Sequence, residues 1–286
     1  MYAITGITGK VGGALGDASL KQGLAVRAVV RDAGKAKAWA ARGCEVALAG
    51  FEDAAALTAA FKGAEAVFIL PPPEFDPAPG YPEARKVIDA VVEALNAAKP
   101  ARVLCLSTIG ADAVQDNLLS QRTLMEQALS ALSLPVTFLR PGWFLDNALW
   151  DVASARENGV ISSFLMPADR PIAMVATSDV GRVAAELIQE HWTGKRIIEL
   201  EGPHRVSPND LALAFSKALR RPVKVETVRR ETWESLFRSQ GMKNPGPRMR
   251  MLDGFNEGWI DFANEGANAI KGRVCVDEVI AALVNA

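Results

Sequence analysis

The sequence predicts an α/β protein, a doubly wound parallel sheet followed by a smaller C-terminal lobe, on three observations. Short apolar runs rich in β-branched residues alternate with Ala-rich amphipathic stretches through the first half, the mark of βαβ units. Glycine stands just past the end of several helical stretches, where it accepts the left-handed conformation that closes a helix. After Arg140 the alternation loosens, and aromatic residues and Met accumulate.

Taken in order, strands are expected at Tyr2–Thr5, Ala25–Arg31, Glu45–Ala49, Ala66–Leu70, Arg102–Ser107 and Val136–Arg140. Helices fill the gaps: Val11–Gln22 stopped by Gly23, Ala33–Arg42 stopped by Gly43, Asp53–Phe61 stopped before Gly63, then Glu83–Ala98 and Gln121–Leu132. Pro71–Pro82 (PPPEFDPAPGYP) is too rich in Pro for regular structure and reads as an extended loop after the fourth strand. Such a loop lies at the carboxyl edge of the sheet, where open α/β proteins bind ligands. Further on, Thr177–Glu190 reads as a capped helix and Arg196–Leu200 as a strand. A helix over Ser207–Leu219 starts with Ser207 as N-cap, Pro208 in its first turn and Asp210 at the third position, and Val223–Val228 is a further strand. Trp233–Phe262 has no clean period and is expected to build part of the lobe.

At 286 residues and 49% hydrophobic content, the chain can bury one large core or a core plus a lobe. Lys plus Arg (32) nearly balances Asp plus Glu (33), and no basic stripe appears, so direct nucleic-acid binding is not expected. No apolar run approaches the roughly 20 residues that span a bilayer. The first strand begins at once, with no secretory n-region, so a cytoplasmic chain is expected. Cys44, Cys105 and Cys275 are odd in number and scattered, and read as reduced, buried small hydrophobes. His191 and His204 have no partners at metal-ligand spacing, and no metal is expected.

The sharpest chemical signal is Thr5-Gly6-Ile7-Thr8-Gly9-Lys10-Val11-Gly12, which ends the first strand and opens the first helix. Gly6 permits the tight turn, Gly9 lets backbone approach a pyrophosphate, and Gly12 lets the helix pack closely, with free N–H donors and the positive dipole end facing the phosphates. This makes residues 1–150 a candidate Rossmann-type dinucleotide-binding domain. Residues 151–286 are then mostly a substrate-side lobe, with some elements returning to the sheet. Arg31 at the end of the second strand can hold a 2′-phosphate bidentately, with Lys35 adding charge, which favours NADP(H). Asp32 leaves an alternative open, because an inward carboxylate there would favour NAD.

With Thr5–Gly12, Val30-Arg31 and Lys35, the segments Gly50-Phe51-Glu52-Asp53, Leu104–Ala111 (LCLSTIGA) and Leu139–Asn147 (LRPGWFLDN) make the sequence resemble the NmrA-like family of atypical short-chain dehydrogenase/reductases. That family includes NAD(P)H-dependent quinone oxidoreductases, triphenylmethane-dye reductases and regulators that bind NADP. The resemblance implies that Gly6, Ile7, Thr8, Gly9, Lys10 and Val11 wrap the pyrophosphate and that Arg31 and Lys35 hold the 2′-phosphate. It further implies that Phe51 flanks the adenine, that Leu70 and Pro71 line the cofactor, and that Pro141–Phe144 sit near the nicotinamide. Gly50 departs from the Asp often found there.

Typical short-chain reductases use a Tyr four residues before a Lys as proton donor. Here those places hold Leu118 and Arg122, and the only tyrosines are Tyr2 and Tyr81. A conjugated acceptor asks less, because it spreads the charge that hydride brings. Candidates for orienting one are Ser107, Thr108, Arg122, the aromatic residues Trp143, Phe144 and Trp150, and Asn147, with Trp233, Phe255 and Trp259 enriching the second half. Plainer roles stand beside these: a loop cap for Ser107 or Thr108, a solvated helix charge for Arg122, core packing or a dimer contact for the aromatics. Two functions are therefore weighed, an NADPH-dependent reductase of a quinone-, dye- or enone-like small molecule and a non-catalytic NADP(H) sensor, either of them able to form a homodimer.

Overall fold

The computed structural model describes all residues, Met1 to Ala286. Strands β1 (Tyr2–Thr5), β2 (Val26–Val30), β3 (Glu45–Leu48), β4 (Ala66–Ile69), β5 (Arg102–Leu106) and β6 (Val136–Pro141) lie within a residue or so of the expected runs. Between them come α1 (Lys10–Lys21), α2 (Ala33–Ala40), α3 (Ala54–Phe61), α4 (Pro82–Ala98) and α5 (Ser120–Ser130). The second half supplies β7 (Trp143–Phe144), a 3-10 segment Leu145–Asp151, α6 (Val152–Asn158), β8 (Val160–Ser163), β9 (Met174–Val175), α7 (Thr177–Leu187) and β10 (Lys195–Glu201). It continues with α8 (Pro208–Leu219), β11 (Lys224–Thr227), α9 (Trp233–Ser239), α10 (Gly246–Glu257), β12 (Ile270–Lys271) and α11 (Val276–Asn285).

The main sheet has eight strands in the order β12-β10-β6-β5-β4-β1-β2-β3, all parallel. Chain order reverses between β1 and β4, and a crevice opens there at the carboxyl ends of the strands. One face buries Ile4, Val11, Leu15, Val180 and Val183 under α1 and α7; the other buries Leu57, Phe61, Val91, Leu95 and Leu129 under α3, α4 and α5. With both faces covered, the strands read as near-continuous apolar runs.

β10 and β12 extend this sheet beyond β6, and α7 packs on α1 so closely that a Cβ on Gly181 would lie 2.4 Å from Ala14 Cβ. The C-terminal half is thus part lobe and part sheet. The lobe proper pairs β8 with β11 and β7 with β9, and carries its own apolar clusters. The expected capping box of α8 is present, with Ser207 Oγ accepting from Asp210 N and the Asp210 carboxylate from Ser207 N.

The stretch Trp233–Phe262, which has no clean period in sequence, contains α9 and α10. Each helix buries few side chains, Trp233 and Phe237 on α9 and Leu252 and Phe255 on α10. The half-buried methionines around them, Met242, Met249 and Met251, blur the apolar period.

Candidate functional site

The glycine turn lies at the switch point. Gly6 adopts φ +64, and Leu70 Cδ2 stands 2.8 Å from where its Cβ would be. Thr5 links the crevice walls: its Oγ1 donates to Phe68 O at 2.9 Å and accepts from Leu70 N at 2.8 Å. Ile7 and Val11 bury their side chains in the core, so only their backbone faces the crevice, whereas Thr8, Gly9 and Lys10 are exposed. No side chain caps α1. Its first N–H groups and dipole are open to an anion, and these residues fit a dinucleotide pyrophosphate. Lys10 Nζ reaches across to Asp146, 3.7 Å away. Asp146 in turn caps α7 by accepting from Thr177 N at 2.8 Å and Thr177 Oγ1 at 2.7 Å.

At the end of β2 the Arg31 and Asp32 alternatives separate. Asp32 is the N-cap of α2, and its Oδ1 accepts from Gly34 N at 2.6 Å. Arg31 and Lys35 are exposed and make no ion pair. Phe51, half-buried against the α3–α4 side of the core, follows β3, and Gly50 beside it has open space where a Cβ would stand. Leu70 is half-buried and Pro71 buried at the end of β4.

The Pro-rich loop is tied at both ends of the crevice. Asp76 accepts from Lys243 N at 2.8 Å and Asn244 N at 2.7 Å, joining the loop to the α9–α10 connection. These backbone donors hold its carboxyl below the usual aspartate range. Gln121 Nε2 donates to Glu74 O at 3.0 Å, and Arg122 Nη2 to Pro71 O at 3.1 Å. The reading of Arg122 as a solvated helix charge is therefore corrected: it is partly buried and turned toward the loop, and burial lowers its pKa.

Tyr81 is buried with φ +58, and its hydroxyl donates toward Asp116 Oδ1 at 2.7 Å and Asn117 O at 2.9 Å. Burial, reinforced by Asp116, pushes the phenol well above its ordinary value, so it is locked as a structural donor. Tyr2 is buried in β1. Ser107 is likewise committed, neither capping its loop nor facing an acceptor: it donates to Glu126 on α5. Glu126 is held by Arg140 through Nε at 2.9 Å and Nη2 at 2.7 Å, and Arg140 Nη1 lies 3.1 Å from Asp112. Burial lowers the Arg140 pKa, but the bonds and charge of Glu126 and Asp112 more than offset it. Sequence reading missed this network because its members are brought together only across β5, β6 and α5. Thr108, half-buried beside Ser107, makes no side-chain hydrogen bond and is the free hydroxyl at this strand end.

Of the aromatic residues, Trp143 is half-buried and meets Phe255 edge-on, with centroids 5.2 Å apart. Phe144 packs on the main core and Asn147 is half-buried. Trp150 is 68% exposed on the 3-10 segment and stands outside the apolar clusters that hold Trp143. Trp233 is wholly buried, with Nε1 donating to Val228 O at 2.8 Å, and so is core. Cys44 and Cys105 are buried free thiols, the latter pushed up to about 12 by burial, and Cys275 is half-buried. No cluster of His, Cys, Asp and Glu has the spacing of a metal site, and no helix is long and apolar enough to cross a membrane.

Residues 2–256 match the model of the NmrA-like family. The chain belongs to the NmrA-like family. Among its relatives, quinone oxidoreductase 2 of Escherichia coli is 30% identical over 247 residues, covering 85% of this chain and 82% of that protein. An NAD(P)H azoreductase of Xenophilus azovorans is 26% identical over 245 residues, with 85% and 82% covered. The crystal structure of the NADPH-dependent quinone oxidoreductase of Escherichia coli complexed with NADPH superposes with a TM-score of 0.83 at 26% identity, covering 99% of both chains. The family thus accounts for the Rossmann-type sheet and the turn at Gly6. In this chain Asp32 is committed to a helix cap, Tyr81 to Asp116 and Arg122 to the Pro71 carbonyl.

Proposed function

We propose that this chain is an NADPH-dependent reductase that passes hydride to a conjugated small-molecule acceptor of the quinone, azo-dye or enone kind. The observation that carries the reading is the state of the two tyrosines: one is core and the other donates to Asp116, so no phenol is free to protonate an alkoxide. A conjugated acceptor removes that need, and relatives named for quinone and azo substrates support the choice.

In this reading the backbone from Gly6 to Val11 and the start of α1 bind the pyrophosphate, Arg31 and Lys35 the 2′-phosphate, and Phe51, Leu70 and Pro71 flank the nucleotide. When bound, the reduced nicotinamide supplies a hydride, so that acceptor plus hydride plus one proton from water gives the two-electron-reduced product and NADP+. Thr108 offers a hydroxyl to an acceptor oxygen, and Trp143 and Phe144 with Asn147 shape the apolar side of the pocket. Trp150 stands at its solvent rim. The closed Pro-rich loop limits water, which strengthens each polar contact to the acceptor.

The test is to mix the protein with NADPH and, separately, NADH, and follow reduced-nicotinamide absorbance across quinones, azo and triphenylmethane dyes and enones. Acceptor-dependent oxidation that prefers NADPH is the expected result. Tight NADP(H) binding with no turnover on any acceptor would overturn it in favour of a sensor.

A further inference from the structure

Two arginines between the Pro-rich loop and the lobe carry charges that the protein does not neutralise. Arg122, in the first turn of α5, spends Nη2 on the Pro71 and Pro72 carbonyls and leaves Nε and Nη1 without a protein partner. Arg248, on α10, lies 4.4 Å from the Phe237 ring centroid and 5.9 Å from that of Phe164, and its one hydrogen bond, from Nη1, goes to Met242 Sδ at 3.8 Å. Among the other buried or partly buried arginines, Arg140 pairs with Glu126, Arg182 with Asp179 and Arg205 with Asp261, while Arg170 has the Asn256 carbonyl. Arg122 and Arg248 have no carboxylate partner, and burial lowers the pKa of both, opposed at Arg122 only by the nearby Cys105 thiol.

The elements that carry them also meet. Leu118 N donates to Pro247 O at 2.9 Å, so the approach to α5 and the start of α10 are in direct contact; Arg122 follows the first and Arg248 the second. Around Arg248 the half-buried Phe164, Met242 and Met249 pack over the buried rings of Trp233 and Phe237 and form an apolar, soft surrounding. Partly withdrawing a cation from water without a counter-ion is unfavourable, and carbonyl dipoles or a ring face return only part of the loss. A ligand that brings its own negative charge completes both groups.

We propose that the acceptor of this site is an anionic aromatic molecule whose carboxylate, sulfonate or acidic hydroxyl pairs with Arg122 and Arg248. This rests on the reductase reading and narrows it. It sets the chain against cationic dyes, for which the same guanidinium charges are a repulsive element.

The experiment titrates the protein, saturated with NADP+, with hydroxynaphthoquinone, ionised at neutral pH, and with its neutral methoxy ether, following Trp fluorescence. Arg122→Met and Arg248→Met are each expected to weaken the anion about tenfold and the ether less than about threefold. Arg122→Lys and Arg248→Lys restore part of the anion's affinity, and added salt weakens the anion alone. Melting temperature identifies any variant that fails to fold, in which case the Lys variant decides. Equal loss of both ligands, no loss of either, or a loss that falls on NADPH affinity overturns the proposal. Anion binding that follows the arginines, with no acceptor oxidising NADPH, upholds the anion site while the reductase reading fails. Turnover of neutral quinones with no preference for the anion does the reverse.

Discussion

Replacing Gly12 and Gly9 one at a time separates the packing of the first helix from its ligand chemistry. A Cβ on Gly12 would stand 2.2 Å from Gly6 O, 2.6 Å from Gly6 C and 2.9 Å from Ile7 Cα. All are backbone atoms, so no rotamer relieves the overlap and the start of α1 must move away from the turn by about 1 Å. Against backbone that no rotamer can relieve, overpacking takes the upper part of its range, about 2–3 kcal/mol, and Ala returns about 1 kcal/mol of helix propensity over Gly. A net loss of about 1–2 kcal/mol lowers Tm by about 2–8 °C in a chain of this size. Gly9 has an ordinary φ of −93, and its nearest neighbour, Gly6 O, is 3.4 Å from an added Cβ. Gly9→Ala should therefore melt as the wild type does but lose NADPH affinity about tenfold or more, because the methyl occupies the approach to the pyrophosphate. Thermal melts and fluorescence titration with NADPH read the two effects. Wild-type NADPH affinity in Gly9→Ala would refute the placement of the pyrophosphate, and an unchanged Tm in Gly12→Ala would refute the backbone contact.

Arg31→Ala is expected to weaken NADPH by about tenfold or more and NADH little, whereas Asp32→Ala removes a helix cap, costs about 1 kcal/mol and leaves cofactor choice alone; equal loss of NADPH and NADH in Arg31→Ala refutes the assignment. The Asp76 clasp contributes fully above the ordinary aspartate pKa of about 3.9 and is lost as pH falls through its lower folded value, so the Tm difference between wild type and Asp76→Ala is steady from about pH 5 to 8 and shrinks below about pH 4. A difference that grows on acidification contradicts this. Burial raises the Asp151 carboxyl to about 6. Its penalty therefore appears as pH rises from about 4 to 6 and persists above, so Asp151→Asn should stabilise the protein at neutral pH by about 1–3 kcal/mol and have little effect below pH 4, measured by urea unfolding at both pH values.

The nucleotide half was legible because its signals are local. A glycine turn after a short apolar strand, Asp53 and Ser207 before helical runs, and Gly63 after the first of these are read within a few residues of the feature they cause. The lobe was less legible for a physical reason: α9 and α10 bury few side chains each, and methionines soften the period. The commitments of polar groups were the least legible. That Ser107 faces Glu126, that Tyr81 faces Asp116 and that Arg122 reaches Pro71 depends on how α5 and its approach lie against α4 and β6, and no spacing in the chain encodes it. The Arg31 choice shows the converse, since a cap at Asp32 is a local rule that the sequence already contained.

The pairing of β10 with β6 bears on synthesis. β6 is complete at Pro141, yet its outer edge finds a partner only when Lys195–Glu201 has been made, and α1 is roofed only by α7. A nascent chain ending near residue 150 would present an open strand edge and an uncovered apolar helix face, both prone to intermolecular pairing. The nucleotide-binding half is contiguous in sequence but not self-sufficient, and its folding waits for the ribosome to deliver a strand that lies past the first part of the lobe.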